Sequence, residues 1–427
     1  MKKRIVITGL GICAPNATDV QSFQQAMLEG VSGIRRQEDL ASLGFRCQVG
    51  GKPYITENIL NLYFTNIEIK HFKSTGLLYG SIAGIQAWKN AGLPALTGES
   101  PDWDSGIVFG TSILGVDKFR ESVLQIDRGE VRRLGSATVP QTMASGVSAF
   151  LAGKLGCGNQ VTSNSAACST GTEAVILGAE RIRAGRAKRM LVGSCSDSGP
   201  YIWGGFDAMR IVPAAYNERP GEASRPLSAS ASGFVPSSGA GALLLESLDS
   251  ALERNATIYG EYLGGAVNCG GQRNGGSMTA SNDEAVQRCI SEALMDAGVA
   301  PEAVDAINGH LTATTKDPVE VDNWCQALGR SGSDFPYINS FKDVLGHGLA
   351  ASGSMECVAA ILQLSTGVLF GNRNAEDLHP EVAKRIDPGK VPVLNVDLAP
   401  EIIAKASLGF GDVNACVIFR NYNPHKT

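Results

Sequence analysis

The chain has 427 residues, 43% of them hydrophobic and 19% charged, enough to build two core-bearing units behind an ordinary polar surface. Its formal net charge is −5, and the absence of a long basic run or stripe excludes a general nucleic-acid binder, although an acidic partner could dock on a local basic patch. No apolar run approaches the roughly 18 residues a membrane span needs.

The N-terminal MKKRIVITGLGICAPN sets basic residues before an apolar run, as a secretion signal does. Gly9 and Gly11 break that run and no small-residue cleavage site follows, so IVITGLG reads as a buried first strand. Its GLG lacks the third glycine of a dinucleotide fingerprint, and no cofactor is implied. A helix is expected near Val20–Glu29, a long one near 74–91, and then a strand at GIVFGTS. This alternation indicates an α/β protein with largely buried strands. The 51 glycines fit many tight turns, and SASAS at 228–232 reads as a loop.

The chain carries an internal echo. Gly171, followed by TEAVILGAERIRAG, reaches Gly185, and Gly353, followed by SMECVAAILQLSTG, reaches Gly367 after the same interval. Both segments are small and apolar round most of the circumference, which marks helices buried on all sides. Strand-like runs precede them at 160–163 and 336–340. The pattern predicts a duplicated α/β unit with halves of 1–255 and 256–427.

The ten cysteines are scattered without a CxxC pair, as expected of reduced, mostly buried thiols in a cytoplasmic protein. No Cys/His cluster has metal-ligand spacing. Cys168 stands apart. It lies in SAACSTGTEA, where a small-residue turn runs into a helix whose positive end favours the thiolate. Two distant histidines complete the candidate chemistry: His310 in NGHLTATTKDPVE and His347 in SFKDVLGHGLAASG. The chain ends with SLGFGDVNA, which contains Phe410.

Taken in order, and with QTMASGVSA, FDAM and SRP between them, these motifs resemble the elongating β-ketoacyl-acyl-carrier-protein synthases of the thiolase-like superfamily. The resemblance spans nearly the whole chain. It implies a thiolase-like fold: duplicated βαβαβαββ halves in five layers, α-β-α-β-α. It also implies decarboxylative Claisen condensation, in fatty-acid or specialised lipid or polyene biosynthesis. Cys168 would hold the acyl chain, and His310 and His347 would face a malonyl thioester. Lys342 and Glu356 would support the histidines, and backbone N–H groups of Cys168 and Phe410 would form an oxyanion hole. Phe410 would also gate the cysteine. Thr312 and Thr314 would hold the pantetheine arm, while Ile113 and Leu114 would line the acyl pocket. The implied partners are an acyl carrier protein bearing phosphopantetheine-linked acyl and malonyl groups and a second copy of the chain. A heterodimer with a related ketosynthase subunit is open. Arg132, Arg133, Lys70 and Lys73 are candidates for receiving the carrier; His71, His379 and His425 read as surface residues.

The sequence departs from the family pattern at four places. Leu311 replaces a glycine, Asp412-Val413 replaces Gly-Thr, Ser228–Ser232 replaces a charged stretch, and Ser238 replaces a glutamate. Asp412 restricts a loop that in the family relies on glycine freedom, so an altered gate and an unusual acyl chain are expected. Two rivals remain. A chain-length-setting partner subunit would lack the nucleophile. A coenzyme A thiolase would need a second catalytic cysteine, for which Cys416 in ACVIF is a poor candidate.

Overall fold

The computed structural model describes residues 3–94 and 98–423. Ten strands make the main sheet, numbered among themselves. The first five are β1 (Ile5–Cys13), β2 (Ser105–Thr111), β3 (Val161–Thr162), β4 (Arg189–Ser196) and β5 (Gly239–Ser247). The second five are β6 (Gly260–Cys269), β7 (Ala306–Asn308), β8 (Tyr337–Asn339), β9 (Ile402–Gly409) and β10 (Val413–Arg420). Their spatial order is β8-β7-β9-β10-β6-β1-β5-β4-β2-β3.

That order is one five-stranded pattern used twice. In the first half β5 pairs antiparallel with β1 and β4, and β2 runs parallel to β4 and β3. In the second, β10 pairs antiparallel with β6 and β9, and β7 runs parallel to β9 and β8. The two sets touch only where 5–7 meets 260–262. Helices occupy equivalent crossovers: α1 (Thr75–Asn90), α2 (Gly146–Leu155) and α3 (Thr170–Arg183), then α4 (Asp283–Ala297), α5 (Asp317–Leu328) and α6 (Ser352–Thr366). Each half is therefore βαβαβαββ.

The apolar residues sort these elements into five layers. Val175, Ile176, Val358 and Ile361 of α3 and α6 pack between the inner faces of the two halves of the sheet, against Ile7, Leu243 and Val417. On the outer face of the first half, Ile82 and Trp88 of α1 and Leu151 of α2 cover Phe109 and Leu191. On the outer face of the second, Ile290 of α4 and Trp324 of α5 cover Ile307 and Ile418. Side chains buried this fully contribute roughly 1.5–3 kcal/mol each, which explains why strands covered on both faces read as unbroken apolar runs.

The two central helices cross with their backbones in contact. A Cβ on Gly171 would fall 2.2 Å from the Ser354 nitrogen, and one on Gly353 would fall 2.6 Å from the Thr172 nitrogen. Glycine at both places brings the start of α3 against the start of α6. The loop carrying Cys168 thereby meets the loop carrying His347. Among the described residues no helix is long and apolar enough to cross a membrane.

Candidate active site

Cys168 sits on the turn between β3 and α3. Ala167 takes a left-handed conformation (φ 48°), and a 3-10 turn over Ala167–Ser169 feeds directly into the helix. Thr170 fixes the turn: its hydroxyl accepts from the Ala166 N–H at 2.9 Å and donates to the Ala167 carbonyl at 2.7 Å. The backbone N–H groups of Phe410 and of Cys168 itself face the sulfur. The helix end alone is expected to favour the thiolate, but the environment works the other way. Burial pushes the thiol up to about 11, while the Lys342 charge and those N–H groups pull it back down.

His310 follows β7, and acids at the start of α5 shape its loop. The Glu320 carboxylate accepts the His310 N–H at 2.6 Å and the Leu311 N–H at 2.7 Å. Asp317 accepts the Thr312 and Ala313 N–H groups at 2.9 and 3.1 Å. Leu311, which stands where the family has glycine, is held at φ 23° with its side chain buried. The carboxylate contacts thus impose a turn that a glycine would reach freely. His310 Nδ1 is buried and has no protein hydrogen-bond partner.

His347 lies on the approach to α6. Its Nδ1 accepts the Leu349 N–H at 3.1 Å and is 3.0 Å from Ser352 Oγ. Nδ1 is therefore unprotonated, and the neutral ring carries its proton on Nε2. Burial first, and the nearby Lys342 charge second, hold both histidines well below the usual imidazole range. Their ring centroids are 5.3 Å apart at 84°. The Cys168 sulfur and one ligand nitrogen of each ring all lie within 4.8 Å of one another.

Beneath this trio, Lys342 Nζ lies 2.5 Å from Glu356 Oε1, with both residues buried. The other carboxylate oxygen makes an ion-pair contact without a hydrogen bond: Lys405 Nζ lies 2.6 Å from Glu356 Oε2. Sequence reasoning missed Lys405. Its signal was a lysine in the middle of the apolar strand IIAKASLG.

Two cavities meet at the cysteine. One, of 270 Å³, is lined by Met209, Val319, Thr312 and Thr314 together with His310. The other, of 290 Å³, is more apolar and is lined by Ile113, Ile202, Phe206 and Leu349. Cys168, Phe234, His347 and Phe410 border both. Phe234, not singled out from the sequence, packs edge-on against His347 at 5.0 Å. Leu114 is not where the acyl-pocket expectation put it. It is buried in the outer core, where a Cβ on Gly76 or Gly146 would fall 3.0 Å from its methyls, and only Ile113 reaches the cavity.

Asp412 has a defined task in the loop after Phe410. Buried and at φ 64°, it accepts the Gln272 N–H at 3.0 Å and the Asn282 N–H at 2.8 Å. The Gly411 N–H donates to the Met278 carbonyl at 2.8 Å. The Phe410 loop is thus tied to segment 270–282, whose Thr279, Ala280 and Ser281 line the first cavity. The 228–232 loop is pinned instead by Asp377, which pairs with Arg225 at 3.0 Å and accepts the Ser230 N–H at 3.0 Å. Ser238 is buried and bonds the Gly51 carbonyl at 3.2 Å.

Lys70, Lys73, Arg132 and Arg133 are all exposed, with Arg133 2.7 Å from Glu130. His71 is exposed, His379 accepts the Glu381 N–H at the start of a short helix, and His425 lies outside the described residues. Every described cysteine is unpaired; most are buried, whereas Cys269 is exposed and Cys168 half-buried.

Comparison with known proteins agrees with this geometry. The β-ketoacyl synthase N-terminal domain matches residues 2–251, and the β-ketoacyl synthase C-terminal domain matches 259–376. The chain is 32% identical to 3-oxoacyl-[acyl-carrier-protein] synthase I, chloroplastic, of Arabidopsis thaliana, covering 99% of this chain and 88% of that protein. It is 29% identical to 3-oxoacyl-[acyl-carrier-protein] synthase 1 of Escherichia coli, over 98% and 99% of the two chains. Among solved structures it resembles a type II PKS acyl-carrier protein in complex with its ketosynthase bound to the hexaketide, with TM-score 0.87, 27% identity, and 99% and 100% coverage. With both domains matched and relatives aligned along nearly its full length, the chain belongs to the β-ketoacyl synthase family of condensing enzymes.

Proposed function

We propose that the chain extends an acyl group by two carbons, condensing an acyl thioester held on Cys168 with malonyl-acyl carrier protein to give 3-oxoacyl-acyl carrier protein. The observation that carries this reading is the meeting of one thiol and two neutral imidazoles at the junction of two cavities. The Cys168 sulfur attacks the acyl-carrier thioester as it gives up its thiol proton, the Cys168 and Phe410 N–H groups stabilise the oxyanion, and the carrier thiolate leaves and takes up that proton. The acyl chain then lies in the apolar cavity beside Ile113.

Malonyl thioester enters the other cavity, with Thr312 and Thr314 along its pantetheine arm. Because both histidines are neutral, they offer N–H groups to the thioester carbonyl without a charge to be neutralised. The C–C bond to the carboxylate breaks, carbon dioxide leaves, and the electron pair passes into the hydrogen-bonded enolate. The enolate carbon attacks the Cys168 thioester, forming the new C–C bond and releasing the thiolate. Lys342 and Glu356 hold the local charge in place, and Phe410, between the cavities, admits the acyl chain to its side.

The carrier protein would approach over Lys70, Lys73, Arg132 and Arg133. A second copy of the chain would cover the apolar rim formed by Ile113, the helix Val116–Asp127 with exposed Phe119, Val123 and Ile126, and the edge strand β3 with exposed Val161. Unpaired thiols suit a reducing compartment such as the cytoplasm. Incubation with acyl-carrier thioesters of several lengths, followed by intact-mass measurement, tests the reading. An acyl adduct on the wild type and none on Cys168→Ala is the expected result; labelling that persists in Cys168→Ala would overturn it.

A further inference from the structure

Lys405 is a charged residue in the buried core, fully shielded from solvent on β9. The two halves repeat the same order of strands and helices, so buried positions on matching elements can be paired. Ser194 Oγ on β4 bonds Ser354 Oγ on α6 at 2.7 Å, and Ser407 Oγ on β9 bonds Thr172 Oγ1 on α3 at 2.8 Å. Those paired contacts fix the register: Ser194 matches Ser407, and Thr172 matches Ser354. Counting along the same strands and helices, Lys405 falls on Val192 and Glu356 falls on Ala174. Val192 and Ala174 are fully buried apolar residues in the central core. An ordinary apolar pair fills the site in one half, whereas an ion pair fills it in the half that carries the histidines.

The ion pair is also oversupplied with positive charge. Glu356 presents one oxygen to Lys342 at 2.5 Å and the other to Lys405 at 2.6 Å. Lys405 Nζ further donates to Ser407 Oγ at 3.0 Å and to the Ala406 carbonyl. By formal charge the two lysines outnumber the one glutamate they share, and all three side chains are buried. An isolated buried lysine–glutamate pair would present only a dipole to its surroundings.

We infer that Lys405 is a positioning residue: by occupying half of the Glu356 carboxylate it leaves the Lys342 charge only partly neutralised, and that residual charge acts on Cys168 and the two histidines. The inference rests on the roles proposed for those three groups. A net cation there favours the anionic thiolate and the enolate, and it disfavours protonation of either imidazole. The other titratable groups facing the cluster are few. Glu320, beside His310, is pushed up to about 7 by burial and is drawn down by Lys342. Cys357 on α6 lies near Lys405, and burial pushes it up to about 12, so it remains a neutral thiol; Cys416 on β10 is paired with Ala406 and points to the opposite face of the sheet. Lys342 itself is held below the usual lysine range by burial, with Lys405 adding to the effect and Glu356 opposing it.

Removing a buried cation raises the pKa of every neighbour, thiol and imidazole alike. The test uses Lys405→Met, which keeps the side-chain length, and Lys405→Val, which copies the twin position. Iodoacetamide alkylation of Cys168, read by intact mass, and malonyl decarboxylation are each measured against pH for the full chain. The expected result is that both midpoints move upward by about one pH unit, with alkylation at neutral pH roughly tenfold slower. Variants that fold but keep the wild-type midpoints would overturn the inference, whatever happens to the rates. Failure of both variants to fold would also overturn it, by assigning Lys405 to packing. If the wild type is not alkylated at Cys168 at all, it is the proposed nucleophile that fails.

Discussion

The turn before α3 and the turn before α6 are the same piece of backbone built twice. In the first, a 3-10 turn opens on Ala167 at φ 48° and continues through Cys168; in the second, one opens on Leu349 at φ 54° and continues through Ala350. Each leads into a helix whose second residue is the glycine at the crossing, Gly171 or Gly353. One turn presents a thiol to the cavities, and the other presents a buried methyl. The difference shows that a nucleophile turn is a property of the duplicated fold, whereas catalysis needs the halves to diverge. One half supplies the sulfur, and the other supplies hydrogen-bond donors and the charge beneath them.

The largest expected effect breaks the comparison outright. Cys168→Ala should lower 3-oxoacyl formation by at least about 10⁴-fold, and adding Ala350→Cys should not restore it, as followed by product mass. Recovery in the double variant would show that the two turns are interchangeable. Next, His347→Ala should slow malonyl decarboxylation about 10²–10³-fold while leaving Cys168 acylation in place, because one donor to the enolate is gone. Equal loss of both half-reactions would remove the division of labour between the halves.

A third pair separates lining from core. Leu114→Ala should cost about 2–5 kcal/mol in denaturant unfolding, with acyl preference unchanged, whereas Ile113→Ala should shift acyl preference with little loss of stability. The smallest effect is in pH. Both histidines have folded-state pKa values below their unfolded ones, so the unfolded chain binds more protons as pH falls through about 6.5, and stability should decline there. In His347→Gln that decline should be shallower, measured by melting temperature at pH 5 and pH 8. Glu320 and Asp343, both pushed up to about 7 by burial, act in the opposite sense and offset that decline, so the difference between the wild type and His347→Gln is the reading.

Much of this was legible in the sequence because it is local or repeated. The strand IVITGLG, the helix Val20–Glu29 and the two buried helices all appear where periodicity put them. Cys168, His310 and His347 were legible as motifs, and the glycine crossing that joins them echoed at Gly171 and Gly353. What stayed hidden depends on contacts between distant segments. The thiol is pushed up because desolvation outweighs the Lys342 charge and the backbone N–H groups that draw it down, a balance no local pattern reports. Leu114 faces the core although its neighbour Ile113 faces the cavity. Asp412 looked like a lost glycine; its purpose is visible only once segment 270–282 folds over it, where its carboxylate meets two backbone donors.

The glycine crossing of α3 and α6 has a consequence for how such a protein can be divided. Each half leaves its central helix with one flank that only the opposite half can shield from water. A gene cut between β5 and β6 would therefore yield two pieces with sticky apolar seams, each soluble only when the other is made beside it.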